Sequence, residues 1–73
     1  EVNMNTVYRL RYEKKLYHLE SRYFGFFWRP VKILEISLTS KNRKRLLRSF
    51  ESTFKVKVID QDIKKNLIYI KYK

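Results

Sequence analysis

The order of short alternating segments, one amphipathic segment and a closing alternating pair predicts an α+β domain: a small, mostly antiparallel sheet with a single helix packed on one face. Three observations carry this. Val7 to Tyr12 alternates Tyr8, Leu10 and Tyr12 against Val7, Arg9 and Arg11; Leu46, Leu47, Phe50 and Phe54 recur at helical spacing; and Leu67 to Tyr72 alternates again. No repeat, low-complexity tract or Pro/Gly/Ser linker divides the chain, so residues 1–73 read as one small basic domain. At the N-terminus, either Glu1-Val2-Asn3 precedes a native start at Met4, or the whole is an excised domain.

After the first strand, Glu13-Lys14-Lys15 is a short polar turn, and Leu16 to Glu20 and Arg22 to Arg29 favour strand through Tyr, Phe and Trp. Gly25 inside the aromatic run suggests a bulge or a close backbone approach, and Pro30 ends or bends that strand. Ile33 to Leu38 resumes alternation, setting Leu34, Ile36 and Leu38 against Glu35 and Ser37. Thr39-Ser40 before a charged stretch is a helix start, since a Ser hydroxyl accepts from an orphan N–H of the first turn; the helix is placed at about 41–53. Phe54 to Ile59 then reads as a strand, Asp60 to Asn66 as a polar turn region, and Leu67 to Tyr72 as the partner strand of a closing hairpin.

Composition bounds the function. The 44% hydrophobic content is too high for a disordered tail, and the absence of Cys removes disulfides, thiolate metal sites and Cys nucleophiles. The longest apolar stretch, Tyr23 to Trp28, is far short of the roughly 20 residues that cross a bilayer, and no signal peptide is visible. The expectation is a soluble intracellular protein, cytoplasmic or nucleoid-associated. His18 is the only histidine and no phosphate-binding glycine loop exists, so no catalytic residue, metal site or cofactor is assigned. Asp60 and Asp62, with Glu51 or Glu35, are the nearest approach to a cation site, and the hydrogen bonds of a turn account for them better.

Charge is the informative feature. The net charge is +11, and residues 31–59 hold eight cations against two anions, so the excess is greatest around the helix. Lys41, Arg43, Lys44 and Arg45 crowd its first turns, where the macrodipole makes each exposed cation unfavourable by about 0.3–1 kcal/mol. An arrangement that opposes stability is expected where a ligand is bound, and phosphate suits it. On the sheet, Tyr8, Leu10, Tyr12, Leu34, Ile36 and Leu38, with Phe54, Val56, Val58, Ile68 and Ile70, are expected to face the helix. The opposite face then presents Arg9, Arg11, Lys55, Lys57, Lys71 and Tyr69.

The leading expectation is a non-enzymatic module that binds DNA or RNA, its phosphates neutralised by Lys41, Arg43, Lys44, Arg45 and Arg48, with Arg9, Arg11, Lys55 and Lys57 extending the track. The alternative is an inhibitor or adaptor that docks on an acidic surface of a larger host enzyme, with Phe24, Phe26, Phe27 and Trp28 as anchor and Arg29 beside them. The Lys, Ile, Tyr and Asn richness is compatible with an AT-rich genome such as many phages have. Attachment to anionic membrane surfaces ranks last, because no helix combines a broad apolar face with interfacial Trp. Surplus aromatic surface on a small core also favours a homodimer.

Overall fold

The computed structural model describes residues 6–73; Met4 and the other residues before Thr6 lie outside the described residues. The elements are β1 (Tyr8–Glu13), β2 (Leu16–Tyr23), β3 (Phe27–Pro30), β4 (Lys32–Ile33), β5 (Ile36–Ser37), β6 (Thr39–Ser40), α1 (Arg43–Phe54), β7 (Val58–Lys64) and β8 (Leu67–Tyr72). The main sheet runs β3-β2-β1-β8-β7, antiparallel at every pairing, with β6 also against β2. This is the α+β architecture that the element order implies.

Alternation along β1, the central strand, places Tyr8 and Leu10 under α1. They join Leu19, Val31, Ile68 and Ile70 from the sheet with Leu46, Leu47 and Phe50 from the helix. Phe50 is the hub at the aromatic end of this core: its ring meets Tyr8 edge-on at 5.0 Å, Phe54 at 5.4 Å and Tyr72 at 5.7 Å. Tyr8 and Tyr72 also meet edge-on at 5.5 Å, and burial pushes both phenols above their ordinary value.

The outer neighbour of β2 is one strand interrupted by a small hairpin. β3 pairs with Glu20 to Tyr23 and β6 with Tyr17 and His18. Between them the chain leaves the sheet as β4 and β5, and the neck is closed by Val31 N–H to Leu19 O, Leu38 N–H to Val31 O, and Leu19 N–H to Leu38 O. The Ile33 to Leu38 stretch is therefore not a core strand. Leu34 and Glu35 form a two-residue turn with φ of 51° and 68°, as a tight hairpin requires, and Leu34 ends 90% exposed. Ile36 is exposed with it, so both leave the expected core list; Leu38 packs on the core rim. Gly25 likewise marks a turn and not a bulge: Phe24 (φ 54°) and Gly25 (φ 86°) reverse the chain between β2 and β3.

The helix begins two residues later than expected. Ser40 Oγ accepts from Asn42 N–H, and Asn42 Oδ1 caps the helix by accepting from Arg45 N–H at 3.2 Å. At the other end Lys55 adopts φ 56° and its N–H returns to Glu51 O, so the chain turns out of the helix before Val56 and Lys57 lead to the last hairpin. Asp60 and Asp62 lie within β7, an edge strand whose register shifts between Val58 and Asp60; the reversal falls at Lys65-Asn66. Charged residues on an exposed edge also discourage pairing with other chains.

Two expectations follow. A left-handed lysine costs more than glycine there, so Lys55→Gly should raise stability by about 1 kcal/mol in urea denaturation. The raised pKa values of Tyr8 and Tyr72 mean that the unfolded chain ionises first as pH rises. The contribution of these two tyrosines to stability should therefore be constant below the ordinary tyrosine value of 10.0 and be lost above it, as alkaline denaturation monitored by circular dichroism would show.

Candidate nucleic-acid interface

The outer face of α1 is built from the same periodicity that builds the core. With Leu46, Leu47 and Phe50 inward, Lys44, Arg45 and Arg48 are left exposed. A shallow depression runs between them, bordered by Asn42, Ser49 and Ser52. Its lining is cationic groups, hydroxyls and an amide, all able to donate to an oxyanion. None of the three cations forms an ion pair among the described residues. Glu51, the only acidic residue of the helix, is diverted: its Oε2 accepts from Val58 N–H at 2.8 Å, fastening the helix to the start of β7. The helix's own carboxylate thus forms no ion pair with the cationic face among the described residues.

Strand pairing adds cations to one end of this face. The Lys14-Lys15 turn joins β1 to β2, and the Lys65-Asn66 turn joins β7 to β8 beside it: Tyr12 N–H donates to Asn66 O at 2.8 Å, and Asn66 Nδ2 donates to Tyr12 O. β6 pairs with Tyr17 and His18 at the same end of β2, which delivers Lys41 and the start of α1 there. Lys14, Lys15, Lys41 and Lys65 are all exposed; Arg43 is half-buried. Three of these lysines, at 14, 15 and 65, escape a reading of the sequence, because turn lysines look like ordinary solvated residues until the register brings the turns together.

Arg9 and Arg11 belong elsewhere. They alternate with Tyr8 and Leu10, so they project from the sheet face opposite the helix and do not extend its track. There Glu20, 6% exposed and directly opposite Arg9 in the β1–β2 register, accepts from Arg9 Nε at 2.9 Å and from Arg11 Nε at 2.9 Å. Arg11 also pairs with Glu13. These carboxylates hold the Arg11 guanidinium above its ordinary value, the hydrogen bond to Glu20 foremost. The Arg9 guanidinium lies 4.0 Å above the Trp28 ring, and Trp28 meets Tyr69 edge-on at 6.0 Å. Arg9 and Arg11 are thus internally neutralised within a layer of Arg, Glu and aromatic rings, while Lys71 on the same face is exposed.

The remaining candidates divide. Lys55 and Lys57 are exposed but sit at the C-terminal end of α1, away from the basic end and outside any regular strand. Phe24, Phe26 and Phe27 are exposed, whereas Trp28 is half-buried beneath Arg9 and Arg29 lies over the Tyr23 ring at 4.4 Å. His18 is half-buried in β2, and no group of metal-ligating side chains occurs among the described residues. No described helix is long and apolar enough to cross a membrane. No protein family, curated protein or solved structure matches this chain.

Removing the carboxylate of Glu20 leaves two partly buried guanidinium groups without their shared counter-charge. Glu20→Gln should cost about 1–3 kcal/mol in urea denaturation while leaving oligonucleotide affinity unchanged under conditions where the variant is folded.

Proposed function

We propose that this chain is a small non-enzymatic nucleic-acid-binding module of the cytoplasm or nucleoid that grips the phosphate backbone with the outer face of α1 and the lysine turns beside its start. The observation that carries this reading is the set of exposed, unpaired Lys44, Arg45 and Arg48 on a helix whose one carboxylate is engaged with a backbone N–H instead. Placing cations in the first turns opposes the macrodipole, a standing cost that a polyanion reverses on binding. Lys44 and Arg48 lie one turn apart, and Lys14, Lys15, Lys41 and Lys65 widen the contact beyond a single helix. Phosphate contact of this kind supplies affinity and position, while sequence discrimination requires base-edge contacts, to which no side chain is assigned here.

The test is a fluorescence-anisotropy titration of short duplex and single-stranded oligonucleotides over a range of salt concentrations. About six phosphate contacts give a log–log slope near −5 for duplex. Arg45→Gln with Arg48→Gln should reduce the magnitude of that slope by about two, whereas Arg9→Gln, which alters a pair on the opposite face, should leave it unchanged. A flat salt response, or equal effects of the two changes, would refute the proposal.

A further inference from the structure

The turn between β2 and β3 is unlike the rest of the surface. Tyr23, Phe24, Phe26 and Phe27 surround Gly25, with Phe24 and Phe26 76% and 77% exposed. Their rings pair along two arms, Tyr23 with Phe24 at 4.4 Å and Phe26 with Phe27 at 5.2 Å, and no ring contact among the described residues joins the arms. The rings therefore do not close over one another. Phe24 holds its place at φ 54°, a left-handed conformation costly for a bulky residue. Apolar rings displayed in this way contribute little to folding and are expected where something covers them.

The surroundings constrain what that is. Arg22 is exposed, Arg29 lies over Tyr23, and neither forms an ion pair among the described residues. Glu20, the nearest acidic residue in the chain, is engaged by Arg9 and Arg11. The occupant must accept apolar rings at its centre and offer negative charge at its rim. A second copy of the chain fails on charge, since each carries +11 and would bring its own Arg22 and Arg29 to the contact. A protein pocket would have to match two separate ring pairs, whereas a lipid surface deforms around them.

We propose that the β2–β3 turn seats in the boundary between headgroups and acyl chains of an anionic lipid surface, with Phe24, Phe26 and Phe27 inserted and Arg22 and Arg29 at the lipid phosphates. A hairpin tip thus supplies exposed apolar rings in place of the helix with a broad apolar face and interfacial Trp whose absence made a membrane role rank last in the sequence. The tip lies at the end of the sheet opposite the Lys14-Lys15 turn, so this inference does not rest on the nucleic-acid reading.

Co-sedimentation of the purified chain with phosphatidylcholine vesicles, alone or with phosphatidylserine, tests it. Binding is expected only with the anionic lipid. Replacing Phe24, Phe26 and Phe27 together by Ser should weaken it by about tenfold or more, and because these rings are exposed the variant should keep its circular dichroism spectrum. In Phe26→Trp, the new indole should shift to the blue and be quenched by brominated lipid, while the wild-type Trp28 emission stays unchanged. Arg45→Gln with Arg48→Gln should keep that quenching even as it lowers duplex affinity, which separates the two sites. Unaltered binding of the triple-Ser variant, unquenched Trp at position 26, or no binding to either vesicle would overturn the proposal, the last result returning the tip to a protein partner.

Discussion

Alternation along β1 is the constraint from which the rest of the arrangement follows. As the central strand, β1 commits Tyr8 and Leu10 to the face that α1 covers, and the pleat then obliges Arg9 and Arg11 to project from the other. Two guanidinium groups side by side on a half-dry face repel unless a counter-charge stands between them. Glu20 supplies it from the neighbouring strand, and Trp28 and Tyr69 complete the layer around Arg9. Arg9 and Arg11, which make β1 cationic in composition, are neutralised in the fold.

What remains unpaired is concentrated by exclusion. Arg9 and Arg11 are absorbed by carboxylates, Glu51 is fastened to the β7 backbone, and exposed cations without an ion pair among the described residues include Lys44, Arg45 and Arg48 on the outer side of α1 and the lysines of the turns beside its first residues. The exposed rings gather at the opposite end of β2. The two ends of the strands differ: one holds the Lys14-Lys15 and Lys65-Asn66 turns, and the other carries exposed aromatic rings with Arg22 and Arg29 beside them.

A chain with a single glycine makes its reversals from residues that resist them. Lys14, Lys15, Phe24, Leu34, Glu35, Lys55 and Lys65 all adopt positive φ. Each costs conformational energy that a glycine would avoid, on a core of few fully buried side chains. The stability left after these costs is small, so the Glu20 cluster and the Phe50 ring cluster carry weight out of proportion to their size. At Lys55 the strain answers to helix termination, and at Phe24 to the reversal between β2 and β3.

Local periodicity made much of this legible. The strand run, the single helix, its buried Leu46, Leu47 and Phe50 and its cationic outer face all follow from spacing within one segment, as does the exposure of Lys44, Arg45 and Arg48. Short alternation misled at Ile33 to Leu38, because a two-residue turn built from Leu34 and Glu35 carries none of the Gly or Asn signal that marks such turns. Asp60 and Asp62 misled in the opposite sense, as turn-forming residues placed on an edge strand. The fate of Arg9 and Arg11 was out of reach, since it depends on Glu20 arriving opposite Arg9 through the β1–β2 register, and so was the convergence of Lys14, Lys15, Lys41 and Lys65. The sequence by itself determined which face of each segment is apolar and how much positive charge the chain carries. Only the tertiary structure decided which of those charges are cancelled, because cancellation depends on residues brought together by strand pairing and not by their separation along the chain.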